Sequence, residues 1–335
     1  MAFFAPWRFV FEFLIRTMTR FAIGVDLGGT NLRVAAVNEN GGLFDQLSLE
    51  TLVERGREDV VNRLTSGILE LVNRWKDRYQ LAGIGVGIPG IIRMKDGILV
   101  ASPNLPGWEN FNVRAQIAKR LNSPFFLEND ANAAALGEKW IGSGRDVKHL
   151  CFLTMGTGIG GGLIFDGKIW HGVSGMAAEL GHVTLYPGGR LCACGNRGCL
   201  EAYAAASAVV KAAQEMLQEG KASEGLKALA ASGVKMTSAK IYELAKEGDT
   251  SAQEIFQMVG RALGMAIANF INIFDLDTFV LGGGAVEAWD AFEKSMFEEV
   301  ALRSYVWRND PREILKSSLG SQAGIFGAAY LAFSR

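Results

Sequence analysis

Apolar positions along this chain fall into two kinds of block. Short apolar runs end in glycines, and longer segments repeat their apolar residues at helical spacing. The first run is Phe21-Ala-Ile-Gly-Val-Asp26-Leu-Gly28-Gly29-Thr30-Asn31-Leu-Arg33-Val-Ala-Ala-Val37. It predicts a strand, a Gly-Gly turn and a second strand, with a carboxylate at the end of the first. Over 58–79, Val61, Leu64, Ile68, Leu71, Val72 and Trp75 share one side of an amphipathic helix. Residues 81–90 predict a buried strand closed by Gly87-Ile88-Pro89-Gly90. The stretch 102–108 is a turn-rich loop that carries Asn104, and 113–121 predicts a short helix. Residues 124–130 predict a strand that ends in Glu128, Asn129 and Asp130, followed by a helix over 131–140. A helix cap would explain Asp130 alone. It does not explain three polar residues in succession at the mouth of a buried strand.

Residues 150–165 repeat the opening design: strand, glycine turn, strand. Gly156, Gly158 and Gly161 fit G-x-G-x-x-G, which in a dinucleotide fold must be followed directly by a helix. Residues 163–169 instead hold an Asp-Gly hairpin signal. A nicotinamide-dependent enzyme is excluded on that context. A hairpin whose adjacent backbone N–H groups cradle an anion survives. Further on, 202–219 and 220–256 read as helical, and 258–274 as a long apolar helix. Residues 276–285 form a strand ending in Gly282, Gly283 and Gly284, which leads into a helix near Trp289. The glycines of 320–327 precede a small-residue helix over 328–333.

Composition narrows the class. The chain has 335 residues, enough for two domains with separate cores. Hydrophobic residues make up 49% and charged residues 21%, which fits a globular chain. The net charge of −1 argues against a broad nucleic-acid footprint. His182, Cys192, Cys194 and Cys199 form an H-x9-C-x-C-x4-C set. Three thiols and an imidazole complete a closed tetrahedral Zn²⁺ shell, the mark of a structural site. Glu179 and Glu201 bracket it. The fourth cysteine, Cys151, lies in an apolar run and reads as a buried, inert thiol. Free thiols with a metal pattern fit a reducing, cytoplasmic setting. His149 and His171 have no partners at ligand spacing and read as structural or solvent-facing. Arg33 and Lys168 read as surface residues. Residues 1–17 are rich in Phe, with Arg8, Glu12, Arg16 and Arg20 on one helical stripe. They are too short to span a bilayer and make a poor signal peptide. A start at Met18, a docked helix or a membrane-surface helix are the three readings of them.

Six motifs stand in order: Asp26-Leu-Gly28-Gly29-Thr30, Glu128-Asn129-Asp130, Gly156-Thr157-Gly158-Ile-Gly160-Gly161, Glu179-Leu-Gly-His182, Cys192-Ala-Cys194-Gly-Asn-Arg-Gly-Cys199-Leu-Glu201, and Gly282-Gly283-Gly284. Together they resemble the ROK family of sugar kinases, most closely its bacterial glucokinases, from about residue 19 onward. The resemblance implies an α/β, actin-like ATPase (ribonuclease H-like) fold, two α/β domains with a cleft between them. The smaller domain would be 19–130 plus 318–335. The larger would be 131–317 with the zinc knot, and 1–18 would be an extension. It implies that Asp26, Gly28, Gly29 and Thr30 face Gly156, Thr157, Gly158, Gly160 and Gly161 across the ATP phosphates. Gly282, Gly283 and Gly284 would lie against the adenosine. Asp130 would be the base, and Asn104, Asn129, Glu179, His182 and Glu201 would hold the sugar. Mg²⁺ would arrive with ATP, held by oxygen ligands such as Asp26. The expected activity is transfer to the 6-hydroxyl of glucose. Mannose, fructose, N-acetylmannosamine and N-acetylglucosamine are the alternative acceptors, and a non-catalytic sugar sensor is the alternative class. Repressors of the family carry a helix-turn-helix domain before the first motif, and residues 1–18 are too few for one. A homodimer is the expected assembly.

Overall fold

The computed structural model describes residues 19–334. The three readings of residues 1–17 lie outside them. The first half of the chain runs β1 (Arg20–Leu27), β2 (Asn31–Asn38), β3 (Leu43–Glu50), α1 (Arg57–Trp75), β4 (Gln80–Ile88), β5 (Ile91–Arg93), β6 (Ile98–Ala101), β7 (Phe111–Asn112), α2 (Val113–Ala118), β8 (Phe125–Asn129) and α3 (Asp130–Ile141). The second half runs β9 (Leu150–Met155), β10 (Ile159–Phe165), β11 (Lys168–Ile169), α4 (Glu201–Ala204), α5 (Ala206–Gln218), α6 (Glu224–Ala231), α7 (Ser238–Lys246), α8 (Thr250–Phe274), β12 (Thr278–Gly282), α9 (Trp289–Arg303), β13 (Glu313–Lys316) and α10 (Ala323–Phe333). No described helix is long and apolar enough to cross a membrane.

Two five-stranded sheets share one plan. The first is ordered β3-β2-β1-β4-β8 and the second β11-β10-β9-β12-β13. In each, three strands form an antiparallel meander and two more join in parallel. The repeated strand–glycine–strand pattern of the sequence is the start of each meander. Strands β5, β6 and β7 make a small third sheet.

Side chains alternate across a strand, so each face of β1 and β4 has its own composition. Phe21, Ile23, Val25 and Leu27 of β1, with Ile84, Val86 and Ile88 of β4, join Val60, Val61, Leu64, Ile68 and Leu71 of α1 in one core. The opposite face is nearly bare. It presents Ala22 and Gly24 from β1, and Gly83, Gly85 and Gly87 from β4. Helix α10 lies on that bare face, backbone against backbone. A Cβ at Gly85 would stand 1.7 Å from the Ala328 carbonyl oxygen, and one at Gly24 would stand 2.2 Å from that of Ile325. The same helix crosses α3 as closely: a Cβ at Gly327 would stand 1.5 Å from the Ala133 oxygen. The C-terminal helix thus packs between the first sheet and α3. The other core is built around α8, whose Ile255, Val259, Leu263, Ile267 and Ile271 pack with Leu153 of β9 and Leu281 of β12. Cys151 is fully buried there, and burial pushes its thiol far above the ordinary range.

Helix α10 begins at Ala323, so Gly324 and Gly327 lie inside it rather than before it. Two further helices differ from the sequence pattern for local reasons. The helix read over 202–219 breaks at Ala205, whose backbone is extended (φ −71°, ψ 158°). The break lets Ala206 N–H donate to the Gly156 oxygen (2.9 Å). The helix read from 258 starts eight residues earlier at Thr250. There the Asp249 carboxylate accepts from Ala252 N–H (3.0 Å), a cap that outweighs weak periodicity.

Gly85→Ala and Gly327→Ala are expected to unfold the protein or destabilise it by about 3 kcal/mol or more, because backbone must move to admit the methyl group. Gly156→Ala, with nothing within 4 Å of the added Cβ, is the control and should leave the denaturation midpoint nearly unmoved. Equal midpoints for all three variants would refute the close-contact reading.

Candidate active site

Asp26 is the residue after Gly24 on the α10-facing side of β1, at the strand's open end. Its carboxylate lies beside the start of α10: a Cβ at Gly324 would be 3.1 Å from Oδ1. Burial raises its pKa, and Arg33 opposes the rise. Arg33 is therefore not a free surface residue. Its guanidinium sits 3.8 Å from Asp26 and donates to the Ser321 carbonyl (2.8 Å). The Gly28–Thr30 turn that follows is held by Thr51, fully buried, whose hydroxyl donates to Gly28 O (2.7 Å). Thr51 N–H also donates to Thr30 O (2.8 Å). No spacing rule marks Thr51, which lies at the end of a strand two elements away. The glycine at 29 lets the loop of Asn104 approach, since a Cβ there would stand 2.8 Å from Asn104 O.

Asp130 is the first residue of α3. Its Oδ1 accepts from Ala131 N–H (2.9 Å). Burial pushes its pKa up to about 6, the charge of Asp26 adds to the rise, and Glu179 adds a smaller push. Those three carboxylates therefore share one electrostatic neighbourhood. Asn129 is the helix cap, with Oδ1 accepting from Ala131 and Asn132 N–H (2.9 and 3.0 Å). Its amide nitrogen donates to Gly90 O (3.0 Å). Only one of its amide hydrogens is left for a ligand. Glu128 is buried, and its Oε1 accepts from Asn129 N–H and Asn132 Nδ2 (both 3.0 Å). Its other oxygen pairs with His171 Nε2 at 2.8 Å. Of the two readings of His171, structural or solvent-facing, the structural one holds. The partner lies 43 residues upstream, in another sheet, where spacing has no reach.

His182, Cys192, Cys194 and Cys199 converge so that their ligand atoms lie within 4.8 Å of one another. A tetrahedron with metal–sulfur bonds of about 2.3 Å has edges of about 3.8 Å. Cys194 and Cys199 sulfurs are 3.8 Å apart, and Cys192 Sγ is 3.6 Å from His182 Nδ1. The donor set and its edges fit a closed Zn²⁺ shell. Burial pushes the Cys192 thiol up to about 12 when no cation stands beside it. A bound cation would reverse that preference and stabilise the thiolate.

Glu201 joins this knot to the second glycine turn. Its Oε2 accepts from Ile159 N–H (2.9 Å), and its Oε1 is 3.5 Å from Cys192 Sγ. Gly158 must lack a side chain there, because a Cβ would stand 2.3 Å from that carboxylate. The turn is closed by Gly156 N–H to Gly158 O (2.9 Å) and buttressed from α5 by Ser207, whose hydroxyl donates to Thr157 O (2.7 Å). Gly160 and Gly161 have packing partners instead. Ala131 of α3 stands 3.0 Å from a Cβ on the first, and Leu180 stands 2.6 Å from one on the second. Glu179 sits at the centre of an inverse γ-turn (φ −71°, ψ 57°), with Leu180 N–H donating to Ala178 O (2.7 Å). Desolvation raises its pKa, His182 opposes and Glu201 adds. Gly282 ends β12 under Phe152, Gly283 turns the chain at φ 84°, and Gly284 is exposed. Beside Gly284 an apolar cavity of about 70 Å³ is lined by Met155, Tyr242, Phe256 and Phe292, among others.

A family model described as the ROK family matches residues 22–335. The glucokinase of Thermotoga maritima is 41% identical over 310 residues, 92% of this chain and 95% of that protein. The glucokinase of Halalkalibacterium halodurans is 35% identical over 317 residues, 93% of this chain and 94% of that one. Among solved structures, a ROK family glucokinase from Streptomyces griseus in complex with glucose and AMPPNP matches with a TM-score of 0.79 at 31% identity. That match covers 94% of this chain and 100% of the other. The fold is the actin-like ATPase fold, in which two α/β domains flank a cleft.

Metal analysis of the purified protein is expected to find one zinc per chain. Cys199→Ser should lose it and lower the thermal midpoint, because closing the knot is folding free energy. Zinc-free protein with an unchanged midpoint would refute the site.

Proposed function

This chain belongs to the ROK family, and from that premise we propose that it is an ATP-dependent glucokinase acting on the 6-hydroxyl of glucose. The observation that carries the reading is Asp130. A carboxyl at the start of a buried helix, raised to about 6, is ionised at neutral pH yet basic enough to take a hydroxyl proton. A sugar hydroxyl is a poor nucleophile, and phosphoryl transfer rests on position and charge neutralisation. The hydroxyl oxygen would bond to the γ-phosphorus while its proton passes to Asp130. The bond from that phosphorus to the bridging oxygen breaks, and ADP leaves.

The rest of the site divides between the two partners. The Gly28–Thr30 and Gly156–Gly158 turns supply backbone N–H groups for phosphates. Gly284 and the apolar cavity beside it suit a nucleobase. Asp26 would hold Mg²⁺, directly or through water, and the ion when bound would neutralise phosphate charge. Asn104, Asn129, Glu179, His182 and Glu201 would hold the sugar. With Nδ1 turned to the thiols, His182 keeps Nε2 for a sugar hydroxyl. Glu201 is already bonded on one oxygen, but a carboxylate has about four acceptor sites and can take a hydroxyl as well. We assign 19–130 with 318–335 to one domain and 131–317 to the other, and expect closure on sugar to exclude water. The 41% and 35% identities to proteins named glucokinase, over more than nine-tenths of the chain, favour glucose over other acceptors.

A coupled assay with ATP and a panel of hexoses should show the highest kcat/KM for glucose. A clear preference for mannose or an N-acetylated hexosamine would overturn the acceptor assignment. Asp130→Asn should lower kcat by about 10³ while sugar affinity changes little. In the wild type, kcat/KM should fall about tenfold per pH unit below about 6. Stability gives a second readout with a definite sign. Because the folded-state pKa is raised from 3.8 to about 6, ionised Asp130 destabilises the fold increasingly as pH rises through that window. The thermal midpoint of Asp130→Asn should therefore exceed that of the wild type at neutral pH, and the gap should close below pH about 4.

A further inference from the structure

We propose that His171 is a positioning residue for the sugar site, fixing the loop that presents Glu179 by its hydrogen bond across the cleft to buried Glu128. The inference rests on the kinase reading above, in which Glu179 is a sugar ligand. The loop leaves β11 in the second sheet, and Glu179 follows within ten residues. Its base is closed by Ala177 N–H donating to His171 O (3.2 Å). Gly172 (φ 66°) makes this closure possible, since a Cβ there would stand 2.9 Å from that of Ala177. Only Ala178 then separates the closed base from Glu179. Ala178 is itself held in the left-handed region (φ 69°), and its carbonyl stands 2.6 Å from where a Cβ on Gly161 would be. Little rotational slack remains between His171 and the γ-turn at Glu179.

The loop is pinned to the first half of the chain at two points. Gly175 (φ 86°) lies on Met94, with the Met94 nitrogen 3.0 Å from a built Cβ. His171 Nε2 lies 2.8 Å from Glu128 Oε2. A carboxylate oxygen accepts, so the proton sits on Nε2. Val173 at the tip is fully exposed and Trp170 is half exposed, so the loop buries little apolar surface of its own. Polar anchoring adds to the limited packing of Trp170 on Phe165 and of Ala178 on the second core. Glu128 is well placed for that role. Its other oxygen receives Asn129 N–H and Asn132 Nδ2, flanking Asp130 on both sides. One buried carboxylate thus ties the segment that carries the base to the segment that carries a sugar ligand.

His171→Leu and His171→Gln, compared with the full-length wild type, test this. Gln keeps an N–H donor at similar reach, whereas Leu keeps only bulk. Hydrogen–deuterium exchange over 170–180, measured without ligands, should speed up about tenfold in the Leu variant and stay near wild type in the Gln variant. In the hexose assay, sugar KM should rise about tenfold in the Leu variant, with KM for ATP within about twofold of wild type and Gln restoring most of the loss. Unchanged exchange in the Leu variant would overturn the proposal. So would a loss spread equally over sugar KM, ATP KM and kcat that Gln does not rescue. If the wild type phosphorylates no hexose, the kinase reading fails while the exchange data still decide whether His171 holds the loop.

Discussion

The contact on which the site depends is one between backbones. Helix α10 lies on the glycine face of β1 and β4 and crosses α3 at Gly327, with carbonyls where side chains would normally stand. Three of those elements, β1, α3 and α10, converge on one group of carboxylates. Asp26 is the second-last residue of β1, α3 begins with Asp130, and α10 begins beside Asp26. Separation of the two carboxylates is therefore set by how closely three backbones approach. A cushion of side chains would move it by the width of a methyl group or more. Misplacement on that scale is what phosphoryl transfer tolerates least.

Crowding carboxylates together has an electrostatic consequence. Burial raises the proton affinity of Asp26, Asp130 and Glu179 alike, and the charges of Asp26 and Glu179 raise that of Asp130 further. Arg33, held by the Ser321 carbonyl, offsets part of the Asp26 charge. Glu201 links the second glycine turn to the thiol–imidazole set. It accepts from Ile159 N–H beside the turn, while its other oxygen lies against Cys192 Sγ.

The two sheets repeat a strand order but not a chemistry. In the first, the meander turn is braced by Thr51 and followed by a helix on one face and glycines on the other. In the second, the equivalent turn is braced by Glu201 and by the first residues of α5. The break between α4 and α5 exists for that brace. Propensity alone favours an unbroken Ala-rich helix, and the tertiary contact overrides it.

The sequence by itself did not determine β3, β5, β6, β7 or β13. It did determine the buried strands that run into the glycine turns and into Asp130, the hairpin that excludes a dinucleotide fold, and the thiol–imidazole set. All of these are written in local spacing: period two, period 3.6, Asp-Gly, and ligands within eighteen residues. Motif order was enough to name the family. Tertiary structure decided what has no local signal. It gave Gly83 and Gly85 their purpose as a floor for a helix more than 200 residues away, and Gly87 its place under α3. It moved Arg33 from the surface to Asp26, made Asn129 the cap in place of Asp130, and joined His171 to Glu128. The first of these closes across the β1–β2 hairpin and the second within one helix turn, whereas the His171–Glu128 pair and the Arg33 bond to Ser321 span elements that meet only when the sheets and α10 are assembled. The energy that selects them is close packing and the need of buried polar groups for partners, and neither leaves a periodic mark on the chain.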